Sequence, residues 1–289
     1  MSRMPTTAIA LTFGDGRTWR IEACSAAGDA VVAGLAAIMR TSLLPPSPAA
    51  PGDRCVRIEA DGEVRRLVGG TLFGANEGLE GRPRVRLPVD RQLTDLRLHA
   101  MQLQVAHSLT EWMEHDGALL LHAALIERDG TGVALAAPGG AGKTTAARRT
   151  SLPWKAVCDD AVLVLQREAG DFCAHPWPTW SRLTEGAQES WLVAAATRLG
   201  AVAFLQRGDS LGLQPVGAGH AAVKLDCSAE QLAGACWPEL PEAAQRAARA
   251  RRFDAACRLA AEVPCYVLTS GLEDDYWTSL DDALRRSLR

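Results

Sequence analysis

With 289 residues, 47% of them hydrophobic and 22% charged, the chain is long enough for one large or two modest domains, each able to bury its own core. A formal net charge of −3 supplies no general pull toward nucleic acid or an anionic membrane, and neither is expected as a partner. No apolar run approaches the length of a spanning helix and the N-terminus lacks a basic region followed by an apolar core, so a cytoplasmic protein is expected. In chain order, Ala8 to Cys24 reads as two short strands about a Gly14-Asp15-Gly16 turn, with Trp19 and Ile21 on one face. A short helix over Ala30 to Met39 follows, then a proline-rich loop, Leu44 to Gly52, whose prolines lack donors and restrict their neighbours. Cys55 to Val68 repeats the hairpin pattern around Asp61-Gly62, and the glycine-rich Gly69 to Gly81 reads as irregular. Residues 1–90 are therefore expected to form a small β-rich α+β domain, followed over 91–289 by an α/β domain.

Asp90 to His115 has helical spacing, ended by Asp116-Gly117. Ala118 to Glu127, ALLLHAALIE, is an apolar strand interrupted by one histidine, His122, and Arg128 to Thr131 turns into the next strand. Trp154 to Gln166, WKAVCDDAVLVLQ, is a strand pattern carrying Asp159 and Asp160. Ala174 to Leu183, AHPWPTWSRL, reads as a stiff aromatic connection bearing Arg182. Short strands are expected at Ala201 to Gln206, Leu211 to Val216 and Cys265 to Thr269. Helices are expected from Ser228, as a cap, to Cys236, from Glu242 to Ala261, and from Tyr276 to Leu288. The basic run Arg246, Arg249, Arg251 and Arg252 reads as a solvated face. The eight cysteines sit far apart with no C-x-x-C, so reduced, mostly buried thiols are expected.

The chemistry concentrates in Gly132 to Thr150, GVALAAPGGAGKTTAARRT, which reads as strand, glycine-rich loop and helix. Ala137, Pro138, Gly139, Gly140, Ala141, Gly142, Lys143, Thr144 and Thr145 match the phosphate-loop pattern G-x-x-x-x-G-K-[ST] except that Ala137 stands at the first glycine. Glycines let successive backbone N–H groups curl around phosphate oxygens. Lys143 would reach the β- and γ-phosphates of ATP, and the Thr144 hydroxyl would ligate Mg²⁺. Of 31 basic residues only Lys143, Lys155 and Lys224 are lysines, so a lysine in the loop marks a place that needs a compact ammonium. Two adjacent carboxylates in a strand are costly without a cation, and Mg²⁺ at the loop would supply one; the pair reads as metal ligand plus catalytic base. Arg182, just past the tryptophan loop, is expected near the triphosphate as a charge stabiliser.

The order of a histidine at a strand end (His122), the phosphate loop (Ala137 to Thr145) and Cys158-Asp159-Asp160 in the following strand resembles the HPr kinase/phosphorylase family. That family is linked in motif shape to phosphoenolpyruvate carboxykinases and to kinases of lasso-peptide precursors. The strings LHAALIE, APGGAGKTT, CDD, HPWPTWSRL and RFDAACRLAAEVPCY look like the ScmC proteins of the SynChlorMet peptide-modification cassette, over about residues 118 to 270. The resemblance implies an α/β fold with a P-loop nucleotide-binding domain of HPr-kinase type, preceded by the small β-rich domain. It also implies that Asp159 is the base for a substrate hydroxyl, that Asp160 helps hold the metal with Thr144, and that His122 orients the transferring phosphoryl. Glu185 matches the family's downstream acidic metal ligand, whereas its R-P-G-R-N loop has no counterpart here.

The expected activity is ATP- and Mg²⁺-dependent phosphorylation of a Ser or Thr hydroxyl on a ribosomally made precursor peptide or small protein. Other modification enzymes of the same cassette are the expected partners, and a homo-oligomer is left open. Two alternatives use the same residues: a nucleotide-dependent subunit that recognises and delivers the peptide without chemistry of its own, and a small-molecule phosphotransferase.

Overall fold

The computed structural model describes residues 6–45, 54–62, 66–68, 71–73, 76–79, 82–88, 95–178, 191–233, 242–271 and 274–287. The chain divides into two compact units, Met1–Trp112 with Pro178–Ala194, and Met113–Trp177 with Ala195–Arg289. Together they make a mixed α/β protein with several sheets and six helices among the described residues.

In the first unit β1 (Thr7–Thr12) and β2 (Thr18–Ala23) form the expected hairpin. Helix α1 (Ala26–Ile38) then crosses to β3 (Arg54–Gly62), which lies parallel to β2. Ser25 starts α1: its hydroxyl accepts the Gly28 N–H at 3.1 Å, satisfying one of the donors a helix start leaves open. Ile9, Ile21, Leu35 and Ile58 are all buried, so one face of α1 closes over the sheet. No hairpin forms at Asp61-Gly62, because β3 runs through both residues and pairs in parallel with β7 (Arg82–Pro88). Nor is Gly69 to Gly81 irregular throughout. It contains β5 (Thr71–Phe73), paired with β4 (Arg66–Val68), and β6 (Asn76–Leu79), paired with β7. Pairing with one neighbouring strand each outweighs the low strand propensity of glycine here. Helix α2 (Asp95–His115) passes from the first unit into the second between Trp112 and Met113.

The second unit is built on one large sheet. Strands β10 (Thr131–Ala136), β14 (Thr197–Arg207) and β16 (Cys265–Ser270) are parallel, in the order β10, β14, β16. β9 (Ala123–Arg128) pairs antiparallel with β10 through a tight turn in which Asp129 and Gly130 both take positive φ. β11 (Lys155–Cys158) covers β9, and β15 (Gly212–Pro215) covers β16. Alternate residues of the parallel strands and β9 share one buried cluster, including Ile126, Leu135, Ala203 and Leu268. Helix α3 (Lys143–Arg148) adds Ala146 and Ala147 to it, and α6 (Trp277–Ser287) adds Leu280 and Leu284. Burying each such leucine contributes about 1.5–3 kcal/mol.

The segment Ala118 to Glu127 is not one strand. β8 (Leu119–Leu121) pairs with β12 (Val162–Gln166), β9 pairs with β11, and His122 stands between them. β12 pairs on its other edge with β13 (Phe172–Pro176), so Ala174 to Pro176, expected in a loop, lies in the sheet with His175 fully buried. Ser228 caps nothing: it sits inside α4 (Ala218–Ala233), whose glycine-bearing start hides the helix in the sequence. Arg252 of α5 (Glu242–Glu262) is not on a solvated face. It is 1% exposed, with Glu230 at 3.2 Å, and the carboxylates of Glu114 and Asp226 lie within electrostatic reach.

Cys24, Cys55, Cys158, Cys173 and Cys265 are buried thiols, while Cys227 and Cys257 are exposed. Burial, reinforced by the hydrogen bond the thiol donates to the Glu22 carboxylate, pushes Cys55 up to about 12. Iodoacetamide at neutral pH is therefore expected to label Cys227 and Cys257 in the folded protein, with the five buried thiols reacting only after denaturation. Peptide mapping of early labelling at Cys55 would contradict this packing.

Candidate phosphate-binding site

The loop from Ala137 to Gly142 leaves the C-terminal end of β10 and feeds α3. Gly140 and Gly142 hold φ of 74° and 107°, a region that side chains with a Cβ adopt only under strain. A Cβ built at either position would meet nothing within 4 Å, so the space beside both glycines is open. The Ala141 N–H closes the turn on the Pro138 carbonyl at 3.2 Å.

Lys143, the first residue of α3, is 6% exposed and turns back beneath the loop. Its ammonium donates to the carbonyls of Ala137 at 2.8 Å and Pro138 at 3.3 Å. That uses two of three N–H donors and leaves the third for an anion. Burial pulls the ammonium down from the ordinary lysine range, and the neighbouring Asp160 carboxylate opposes the shift. Thr144 is half-buried and Thr145 exposed, so both hydroxyls sit at the start of the helix beside the open loop.

The break in the neighbouring strands supplies the other half of the site. The Leu125–Cys158 pair of β9–β11, which follows a bulge between Ala156 and Cys158, and the Leu121–Val162 pair of β8–β12 share one register on either side of an unpaired gap. The gap opens because the backbone of His122 is bonded elsewhere. Its N–H donates to the Ser228 carbonyl at 3.3 Å, and the Ser228 hydroxyl donates to the His122 carbonyl at 3.2 Å. Across the gap lie Asp159 and Asp160. Because Ala136 pairs with Ala123, the gap starts at the level where the phosphate loop begins.

His122 Nε2 is 3.1 Å from Asp160 Oδ1, and its Nδ1 is 2.7 Å from Gln231 Oε1. The Gln231 amide is oriented by its own N–H to the Cys227 carbonyl at 3.3 Å. Both ring nitrogens therefore face oxygen atoms, which fixes the orientation of the ring. The hydrogen bond from His122, with weaker help from Lys143, holds the Asp160 carboxyl below the usual aspartate range. This contact stabilises the fold above the ordinary aspartate pKa, and the gain is lost as pH falls through the lower folded value. Asp160 keeps Oδ2 free of the histidine contact, and its side chain is 38% exposed. Asp159 is the buried member of the pair at 8%.

The structure thus brings His122, Asp160 and Lys143 together beside the loop and places Asp159 behind Asp160. Arg182 and Glu185 lie outside the described residues. Ser228, Gln231 and Arg207 escape sequence reading. The first two lie about one turn apart on α4, as does Lys224, whose ammonium is 5.5 Å from the Phe204 ring beside Ala136. Arg207, at the end of β14, donates to the Gly140 carbonyl at 3.2 Å. Nothing local marks Ser228 or Gln231, because their role exists only once α4 crosses β8.

For Mg²⁺, the donors on offer are one hydroxyl and one ionised, partly exposed carboxylate. Such a sparse hard-oxygen set suits Mg²⁺, which takes its remaining ligands from phosphates and water. Among the described residues no group of three or more His, Cys, Asp or Glu side chains forms a self-sufficient metal site.

Fold and site define a mixed α/β protein in which a glycine-rich strand–loop–helix opens onto a histidine–aspartate pair. The chain belongs to the SynChlorMet cassette protein ScmC family, whose model matches residues 89–285. The match begins before α2 and so takes in that helix as well as the sheet. Among curated proteins no match is found. Membership of a cassette family is consistent with other proteins of the same cassette as partners. No described helix is long and apolar enough to cross a membrane.

Proposed function

We propose that this chain is an ATP-dependent kinase of HPr-kinase type that phosphorylates a Ser or Thr hydroxyl, on a ribosomally made precursor peptide processed in the cytoplasm. The observation that carries the reading is the open glycine loop with the buried Lys143 ammonium beneath it, set beside the His122–Asp160 pair. Phosphoryl transfer asks a protein chiefly for positioning and charge neutralisation, and these residues supply both.

Bound ATP and Mg²⁺ supply the γ-phosphoryl group and part of the charge neutralisation. The loop amides and Lys143 hold the phosphates. Thr144 and Asp160 are the residues that would hold the metal, and the depressed pKa of Asp160 keeps it ionised for that purpose. Asp159 accepts the proton from the substrate hydroxyl as that oxygen bonds to phosphorus and the bond to the leaving ADP oxygen breaks. His122, held by Gln231 and Asp160, orients the transferring group.

Gln231 acts through His122. Gln231→Leu is expected to lower kcat by roughly ten- to a hundredfold, the worth of one hydrogen bond to a charged group, with KM for ATP little changed. Gln231→Glu, which still accepts from Nδ1, should recover much of the rate. Equal loss in both variants would mean that Gln231 is only structural.

Phosphorus NMR tests the reaction class. With ATP, Mg²⁺ and an acceptor peptide, the γ-phosphate signal should give way to a phosphomonoester signal only when the peptide is present. Conversion to inorganic phosphate alone would remove the kinase reading.

A further inference from the structure

The His122–Asp160 pair borders the phosphate loop on one flank, the side of β9 and β11. The other flank belongs to β14, the parallel neighbour of β10. Phe204 pairs with Ala136, the last residue of β10, so β14 runs on through Leu205, Gln206 and Arg207, about 10 Å at the usual strand rise, alongside the loop. Arg207 stands at that end.

Alternation along β14 puts Arg207 on the side of Ala203 and Leu205, the face that packs with Ala146 and Ala147 of α3. Its exposed guanidinium donates through Nη2 to the Gly140 carbonyl at 3.2 Å. Among the described residues this is the one polar contact of the guanidinium. A guanidinium carries its N–H donors as a planar fork, so most of them remain for an anion over the loop. The anchor is itself fixed: the peptide that offers the Gly140 carbonyl to Arg207 donates its N–H, that of Ala141, to the Pro138 carbonyl at 3.2 Å.

The two flanks are not equivalent in the transfer. Attacking and leaving oxygens lie roughly in line through phosphorus, on opposite sides of it. Asp159 receives the acceptor's proton on the flank of β11, so ADP departs toward the flank of β14. As the acceptor oxygen bonds to phosphorus and the bond to the bridging oxygen breaks, the electron pair of the broken bond stays on ADP, whose terminal phosphate gains negative charge. A fixed cation at that position interacts more strongly in the transition state than with bound ATP, which is the condition for raising the rate.

We propose that Arg207 is a further catalytic residue, which stabilises the charge gathering on the leaving ADP oxygen while the Gly140 carbonyl holds the guanidinium in place. The proposal rests on the phosphate-loop reading above, and one experiment keeps the two apart: calorimetry of the full chain in Mg²⁺ with ADP, in the presence and absence of aluminium fluoride, which together with ADP mimics the transferring phosphoryl group. The parent should bind ADP at least about a hundredfold tighter with aluminium fluoride than without it. Arg207→Ala should lose most of that gain, about a hundredfold, while its affinity for ADP alone falls by less than about threefold. Arg207→Lys, which keeps the charge without the fork, should recover part of the gain, and so should Arg207→Ala supplied with methylguanidinium. An Arg207→Ala protein that keeps the whole gain overturns the proposal. Equal weakening with and without aluminium fluoride overturns it too, because Arg207 then only shapes the loop, as does a parent that binds ADP with no tightening. A parent that binds no ADP overturns the phosphate-loop reading itself.

Discussion

Lys143→Met is expected to abolish nucleotide turnover while leaving the fold intact. Its ammonium is seated directly beneath the open loop, held by the carbonyls of Ala137 and Pro138. Methionine keeps most of the buried stem and removes the charge, so the loss is electrostatic and leaves little cavity. Removing one preorganised stabiliser of developing charge typically costs about 10²- to 10³-fold in kcat, and here weaker phosphate binding adds to it. Lys143→Ala should show the same kinetic defect with lower stability, because it also empties the space beneath the loop. Parent-like turnover in a well-folded Lys143→Met protein, measured by ADP release, is incompatible with the site assigned here.

Asp159→Asn and Asp160→Asn are expected to fail in different ways. The first keeps shape and much of the hydrogen bonding but removes the proton acceptor, costing about 10²- to 10⁴-fold in rate with ATP affinity little altered. The second removes the ionised partner of His122 and the carboxylate offered to the metal. Its rate should fall and its Mg²⁺ requirement rise, with partial rescue by excess Mg²⁺ that Asp159→Asn does not show. Asp159 is the buried member of the pair, so thermal melting of each variant separates a kinetic effect from lost stability. Should excess Mg²⁺ rescue both alike, the division of roles between the two carboxylates is wrong.

The loop was legible because its chemistry is local. Gly140 and Gly142 are needed where the chain turns to positive φ, and Lys143 follows within the same few residues. The Asp pair was legible as an anomaly, two charges where a strand pattern wanted apolar residues. What the sequence hid is tertiary. His122 interrupts a strand because α4 takes its backbone hydrogen bonds, and Ser228, more than a hundred residues away, looks like an ordinary helix cap. Arg252 reads as solvated beside three other arginines, yet carboxylates from other helices surround it. The same limit explains β3, where Asp61-Gly62 favours a turn and the parallel pairing of Gly62 with Pro88 of β7 carries the strand through.

The most direct test of the central claim is mass spectrometry of a precursor peptide from the same cassette after incubation with this chain, ATP and Mg²⁺. The account predicts a gain equal to one phosphoryl group, localised to a Ser or Thr side chain and absent with Lys143→Met. A peptide that binds the ATP-loaded protein and is recovered unmodified would contradict it.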